Sequence, residues 1–160
     1  MRFHVEHRFN GSPQSVSAIL ADPAFHLGLV LPDLSRPEVL EEGEDAAASV
    51  LRLRYEFVGS LDPMARWLLG TGRLAWIQEI RVDRSVGSGT LRFEAEKNPR
   101  QLHGGADFVV TPDGEGSIRT LDGELVVSVP GIGRMAERRI VPGLLRRLDI
   151  EARALDDLLT

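Results

Sequence analysis

The feature that most constrains the fold is a change of hydrophobic period near residue 132. Before it, apolar and polar residues alternate in six runs, at 36–43, 47–58, 73–84, 90–98, 101–111 and 117–129. Alternation of this kind is typical of half-buried β-strands. Links that carry turn residues, such as KNP and PDGEG, are too short for the crossover that parallel strands need. The runs therefore predict one antiparallel sheet.

A stripe of apolar residues at helical spacing follows the last run. Its members are Met135, Ala136, Ile140, Leu144, Leu148, Ala152, Leu155 and Leu159. The stripe predicts a long helix from about Ile132 that packs against the sheet. Pro142 and Gly143 interrupt it, so we expect a kink or a break near Val141. On the opposite side, charged pairs four residues apart are expected in solvent, namely Arg147–Glu151 and Arg153–Asp157.

The N-terminal part of the chain predicts one more strand and two short helices. Residues 2–9 alternate, with Phe3, Val5, His7 and Phe9 on one side. Ser12 precedes Pro13 and Asp22 precedes Pro23, which places a capping side chain before a proline at the first helical position. The whole order is strand, two helices, six strands and a long helix.

Alternation also predicts which side chains of the sheet point inward. The inward set contains Leu51, Leu53, Tyr55 and Phe57 in one run, Leu91, Phe93 and Ala95 in another, and Leu121, Leu125, Val127 and Val129 in the last. Run 73–84 allows two registers. We prefer the one that buries Trp76, Gln78, Ile80 and Val82, because the alternative buries Ile77 with Glu79 and Arg81.

A glycine motif near the end of the sheet raises the question of nucleotide binding. Gly131, Gly133 and Ala136 spell G-x-G-x-x-A between a strand-like run and a helical stripe. A dinucleotide site needs a parallel strand after that helix and an acidic residue about 20 positions on. No strand-like run follows, so we interpret the motif as a turn into the closing helix.

Composition excludes several classes of function. The chain of 160 residues has a net charge of −5 and no cysteine. We therefore expect one domain over residues 1–160, no nucleic-acid partner and no thiolate or cysteine-ligated metal chemistry. No apolar run is long enough to span a bilayer, and the first residues do not form a signal peptide. We expect a cytoplasmic protein without stable membrane insertion, metal or cofactor.

The stretch SPQSVSAILADPAF contains the pattern S-P-x-x-V-x-x-x-L-x-D-P, which often follows the first strand of START-like (SRPBCC) proteins. Its positions are Ser12, Pro13, Val16, Leu20, Asp22 and Pro23. With the element order, the chain resembles this superfamily, the helix-grip fold. The segment GELVVSVPGIGRMAERRI, with Trp76 upstream and Pro130, Gly133 and Glu137 in a P-x-x-G-x-x-x-E pattern, resembles its uncharacterised branch DUF2505.

This resemblance implies an α+β fold in which a curved, seven-stranded antiparallel sheet grips the C-terminal helix and leaves a cavity between them. Better-known members bind lipids, sterols, hormones or polyketides there. The resemblance brings no catalytic residues for this branch.

The residues that we predict to line the cavity are mostly apolar. They are His7, Tyr55, Trp76, Gln78, Phe93, Met135, Ile140 and Leu144. A few polar groups in an apolar cleft can orient a small molecule. Alternatively, a buried His7 or Tyr55 satisfies only a backbone carbonyl. No partner for acid–base catalysis by His7 is evident, and His4 and His7 face opposite ways, so they do not predict a metal site.

The segment LDPMARWLLG, residues 61–70, is unusually apolar for a connection between strands. Asp62 and Pro63 predict that it begins with a capped short helix. Three roles stay open for it: a lid over the cavity mouth, a contact in a homodimer, or packing against the sheet edge.

Three functions are compatible with these patterns. We favour a carrier or sensor that binds a small hydrophobic molecule, lipid, sterol-like or polyketide-like, because no nucleophile, metal set or carboxylate pair is evident. An aromatase/cyclase-type enzyme acting on such a ligand is the second. A non-catalytic interaction module whose cavity is filled by its own side chains is the third. The fold does not choose among them.

Overall fold

The computed structural model describes residues 1–60, 63, 66, 73–83 and 87–160. Within these ranges the strands are β1 (Arg2–Phe9), β2 (Glu38–Glu44), β3 (Ala48–Glu56), β4 (Ala75–Asp83), β5 (Ser88–Ala95), β6 (Leu102–Asp113) and β7 (Gly116–Val127). The helices are α1 (Pro13–Ala21), α2 (Pro23–Gly28) and α3 (Gly133–Leu159). The predicted order of elements is confirmed.

All seven strands belong to one antiparallel sheet in the order β1-β7-β6-β5-β4-β3-β2. Strands β2 to β7 form a meander, and β1 closes its far edge beside β7. In the predicted PDGEG turn, Gly114 adopts a φ of +60°, a left-handed conformation that glycine allows without steric cost.

The glycine motif forms the turn between the sheet and α3. Gly131 has a φ of +83°, and a Cβ atom on Gly133 would clash with the carbonyl oxygen of Val127. Both glycines are therefore required by backbone geometry. No parallel strand pair is found in the described part of the sheet, and the prediction against a nucleotide turn agrees with this.

The predicted caps are present at both short helices. The backbone N–H of Ser15 donates to Oγ of Ser12 over 3.1 Å, and that of Ala24 donates to Oδ1 of Asp22 over 2.9 Å. Pro13 and Pro23 occupy the first helical positions. These caps position α1, which lies against β4 and β6.

The preferred register of β4 is confirmed, because Gln78, Ile80 and Val82 are buried. Of the predicted kink or break in α3, the break is wrong, since the helix continues through Pro142 and Gly143. The charged side of α3 needs a second correction. Glu151 is only 5% exposed and pairs with β7 rather than with Arg147. The four-residue spacing of Arg147 and Glu151 is equally compatible with an exposed ion pair. Only the position of the sheet against α3 shows that both side chains face inward.

The hydrophobic core is divided into two clusters. The larger one joins β1, β4–β7, α1, α2 and α3. The smaller contains Leu31, Leu51, Leu53 and Tyr55. Helix α3 packs most closely on β7 and β1, so the half of the sheet formed by β3–β5 lies farther from its backbone.

Glu137 ties the first turns of α3 to the end of β7. Its Oε1 accepts a hydrogen bond of 3.1 Å from the backbone N–H of Val127, and this bond is the main cause that lowers the pKa of its carboxyl. The glutamate of the P-x-x-G-x-x-x-E pattern therefore has a structural role. None of the described helices has the length and hydropathy that crossing a membrane requires.

Candidate functional site

Two groups of polar side chains lie between the sheet and the middle of α3. The first, which we call the His7 network, consists of His7, Arg119, Asp149 and Glu151. The second, the Arg147 cluster, consists of Tyr55, Trp76, Gln78 and Arg147. Both use residues 147–151 of α3, but they meet different strands.

The His7 network is held by a continuous chain of hydrogen bonds. His7 on β1 and Arg119 on β7 are direct partners in the sheet. Nη1 of Arg119 donates to Oε1 of Glu151 over 2.7 Å, and its Nη2 donates to Nδ1 of His7 over 3.1 Å. The remaining ring nitrogen, Nε2 of His7, lies 2.9 Å from Oδ1 of Asp149.

This chain fixes the tautomer of His7. A guanidinium can only donate, so Nδ1 of His7 must accept from Arg119 and the proton must sit on Nε2, which donates to Asp149. The pKa of His7 is lowered, mainly by burial and then by the positive charge of Arg119. His7 is therefore neutral near pH 7, with both ring nitrogens engaged by protein groups.

Glu151 is a buried carboxylate that stays ionised. Burial alone would raise its pKa, but nearby positive charges, Arg119 first, together with the Arg119 hydrogen bond, outweigh this and lower it. A buried charge of this kind is tolerated only when it is paired. Arg119 and Glu151 thus form a structural ion pair between β7 and α3.

The Arg147 cluster is built on two aromatic rings. Tyr55 and Trp76 are direct partners on β3 and β4, and their rings stack with centroids 5.8 Å apart and planes at 18°. The guanidinium of Arg147 lies 4.6 Å above the Tyr55 ring and 5.8 Å from that of Trp76. Its Nη2 donates a hydrogen bond to Oε1 of Gln78.

Two donor groups of this cluster have no acceptor among the described residues. They are Oη of Tyr55 and Nε2 of Gln78, on side chains that are 1% exposed. Burial raises the pKa of Tyr55, and the nearby charge of Arg147 offsets this only in part, so the hydroxyl keeps its proton and can donate. Buried polar groups without partners are rare in folded proteins. The cluster therefore presents hydrogen-bond donors that this side of the interior does not use.

The structure brings some of the predicted cavity residues together and separates others. Tyr55, Trp76 and Gln78 share the Arg147 cluster, and Phe93 is the sheet partner of Gln78. His7 belongs to the other group, among partners that bind both its nitrogens.

On α3, the predicted residues Ile140 and Leu144 are half-buried and pack against the larger core cluster. Met135 is 49% exposed. The next residue, Ala136, is buried, and because successive residues of a helix point about 100° apart, both cannot face the sheet. The predicted segment 61–70 lies outside the described residues, apart from Pro63 and Arg66, which are exposed.

Sequence reasoning missed the charged members of both groups, namely Arg119, Arg147, Asp149 and Glu151. Arg119 could have been found from the sequence, because it lies two residues before Leu121 in run 117–129 and therefore points to the same, inward side of the strand. For the other three, spacing alone could not separate an inward from a solvated side of α3.

A groove of about 840 Å³ lies on the outer face of the sheet, away from α3. Its walls include outward-facing charges of both signs from β3 to β7, such as Arg52, Glu79, Arg92, Asp107 and Glu124. Apolar residues such as Ile77 and Val126 also line it, and so does Phe93, but none of the other predicted cavity residues does. The described residues also bring together no group of three His, Asp or Glu side chains that could hold a metal ion.

A comparison with protein families decides the classification. The model of the family described as "Protein of unknown function (DUF2505)" matches residues 4–159. The chain belongs to this family. No curated protein matches it in sequence.

Solved structures show the START-like helix-grip fold. The Zhui aromatase/cyclase from Streptomyces sp. R1128 is 17% identical with a TM-score of 0.65, and the match covers 99% of this chain and 94% of that one. A STAR-related lipid transfer protein from Xanthomonas axonopodis is 17% identical with a TM-score of 0.60, covering 96% and 85%. The protein TTHA0849 from Thermus thermophilus is 15% identical with a TM-score of 0.66, covering 99% and 97%. At these identities the likeness concerns the fold.

Proposed function

We propose that this protein binds a small hydrophobic molecule between its sheet and α3, as a carrier or sensor. The observation that carries the proposal is partial exposure of inward-facing apolar side chains on both walls. Trp76 and Phe93 on the sheet and Ile140 and Leu144 on α3 are half-buried, although they point toward the interior. In a filled core such side chains lose nearly all contact with solvent. We therefore expect a space beside them, in which an apolar ligand would gain from leaving water.

The position of α3 supports this location. The helix packs most closely on β7 and β1, whereas Trp76 and Phe93 stand on β4 and β5. The fold likeness to a lipid transfer protein and to an aromatase/cyclase supports a ligand in this space, without selecting transport or catalysis.

The state of His7 favours a carrier over an aromatase/cyclase-type enzyme. A general acid or base must present a nitrogen to the substrate. Both nitrogens of His7 are bonded to Arg119 and Asp149, so His7 has no nitrogen free for that role. Replacing His7 by Phe should leave binding of an apolar probe largely intact, whereas loss of turnover of a polyketide-type substrate would support the enzyme.

Binding of the neutral fluorescent probe N-phenylnaphthylamine tests the proposal. The unmodified protein should enhance its fluorescence saturably, and Phe93→Trp should weaken binding because the larger ring fills the space, with little loss of stability. Val109→Trp is the matched control, since Val109 is an exposed residue of β6 and the change adds similar bulk outside. It should bind like the unmodified protein.

A solid interior would give the opposite result. No probe would bind, and Phe93→Trp would cost about 1–3 kcal/mol of stability through overpacking. That outcome would contradict the proposal and favour an interaction module with a filled cavity. Native mass spectrometry of protein purified from its own cells should further show a co-purifying small molecule.

A further inference from the structure

We infer that the ligand of this site is a hydrophobic acid, with one anionic oxygen group held by Arg147, Tyr55 and Gln78. The inference rests on the proposed function and adds the chemical class of the ligand. Two observations support the inference: the charges between the sheet and α3, and the hydrogen-bonding groups there that can donate but have no acceptor.

Among the described residues Arg147 forms no ion pair, although the charge of Glu151 acts on it at longer range. Arg119 pairs with Glu151 over 2.7 Å, and Asp149 accepts the hydrogen bond of His7. Arg147 is half-buried against aromatic rings, and no ion pair of its guanidinium is found among the described residues. A cation shielded from water gains strongly from an anionic partner.

The neutral groups around Arg147 also offer donors. Because a guanidinium cannot accept, Oε1 of Gln78 must face Arg147, and this orientation leaves Nε2 of Gln78 as the free group. The hydroxyl of Tyr55 is protonated, and its O–H has no acceptor among the described residues. Two neutral donors beside one cation match a carboxylate, sulfonate or enolate oxygen, each of which only accepts.

Apolar side chains lie next to the donors on both the sheet and α3. Phe93 is paired with Gln78 across β4 and β5. On α3, Leu144 and Ile140 precede Arg147 by about one and two turns. The site therefore has a charged end at Arg147 and an apolar wall that leads from it, as an amphipathic acid requires.

Two fluorescent probes that share one aromatic skeleton test the inference. Anilinonaphthalene sulfonate carries an anionic group that N-phenylnaphthylamine lacks. Arg147→Met should weaken binding of the sulfonate at least about tenfold, the usual loss for a charge-assisted hydrogen bond. Binding of the neutral probe should change less than about twofold.

The matched control is Arg153→Met, which removes an exposed arginine from the same helix. It should leave the affinity for both probes unchanged. An equal loss of sulfonate binding in the two variants would mean that the anion binds to surface charge, and it would overturn the inference.

Two further measurements do not depend on the folding of Arg147→Met. Tyr55→Phe removes one hydroxyl and should weaken only the sulfonate. In the unmodified protein, dodecanoate should displace the neutral probe at least about tenfold better than dodecanol, by the same reasoning. Equal displacement by the acid and the alcohol would overturn the inference and leave the proposed function standing. Failure of the neutral probe to bind would refute the proposed function, and the inference with it.

Discussion

The His7 network and the Arg147 cluster are attached to the same turns of α3 but differ in how their polar groups are satisfied. In the His7 network every charged group has a partner in the protein, and only Nε of Arg119 lacks one among the described residues. In the Arg147 cluster the cation donates to one acceptor, Oε1 of Gln78, and two neutral donors have no acceptor among the described residues. The first arrangement is complete without a ligand, and the second is not.

The difference follows from where α3 meets the sheet. On β1 and β7 the helix backbone is close, so Asp149 and Glu151 can reach His7 and Arg119 directly. Over β3 and β4 the long side chain of Arg147 must bridge a greater distance. Buried polar groups thus stabilise the fold on one side and remain available for recognition on the other.

The largest expected effect is the loss of the buried ion pair. Arg119→Met leaves the charge of Glu151 buried without its partner, and we expect a loss of about 3–5 kcal/mol in the free energy of unfolding. Arg147→Met, on the other side of the comparison, leaves only the neutral Oε1 of Gln78 without its donor and should cost less, about 1–2 kcal/mol. Denaturant unfolding measures both. Similar losses in the two variants would contradict the division into a structural and a recognition side.

Truncating two leucines on α3, one buried and one half-buried, should show the same difference in packing. Leu148 is 2% exposed, and Leu148→Ala should cost about 2–5 kcal/mol. Leu144 is half-buried, so Leu144→Ala should cost clearly less, about 1 kcal/mol. Equal losses in denaturant unfolding would show that Leu144 is packed as tightly as Leu148 and would argue against a space beside it.

Acidification should destabilise the protein through its buried histidines. The pKa values of His7 and His26 are both lowered, mainly by burial. As the pH falls through about 6.5, the ordinary histidine value, the unfolded chain takes up these protons before the folded one. The free energy of unfolding therefore decreases.

The measurement is denaturant unfolding between about pH 7.5 and 5.5, a window that brackets the ordinary histidine pKa. His7→Gln removes one of these titrations and should flatten the dependence. The exposed His4 acts in the opposite direction, because its hydrogen bond to Asp122 raises its pKa, and added salt screens that contribution. A steeper dependence in His7→Gln would contradict the neutral state assigned to His7.

The smallest expected effect is that of Tyr55→Phe without ligand. A buried hydroxyl that has lost its contacts with water and found no partner contributes nothing to stability. The change should therefore leave the free energy of unfolding within about 0.5 kcal/mol or raise it slightly. A loss above about 1 kcal/mol, the usual contribution of one hydrogen bond, would mean that the hydroxyl is bonded within the folded protein, and it would weaken the case for a binding site.

Much of the fold could be predicted from the sequence because its signals are local. The period of two marked the strands, and the preference for burying Gln78 over Glu79 selected the register of β4. Proline after Ser12 and Asp22 marked two helix starts. Of the kink or break expected near Val141, the break was wrong: the helix runs through Pro142, and a local pattern cannot show whether tertiary packing keeps a helix continuous past a proline.

Only the uncharged residues of the candidate site could be predicted from the sequence. Tyr55, Trp76 and Gln78 were expected inward by alternation, whereas Arg147 and Glu151 were expected in solvent. A helical pattern shows which residues share a side, but the cost of burying a charge depends on the partner that the sheet provides. For Glu151 that partner is Arg119, which is 32 residues away in the sequence.

The sequence by itself determined the order of elements, the antiparallel sheet and the family, because periodicity, capping and turn residues act over a few positions. Only the tertiary structure decided which charges are buried, that both nitrogens of His7 are occupied, and that Tyr55, Gln78 and Arg147 leave donors unused. These properties arise from contacts between residues far apart in the chain. Their energies depend on burial and on the geometry of each pair, which no local pattern encodes.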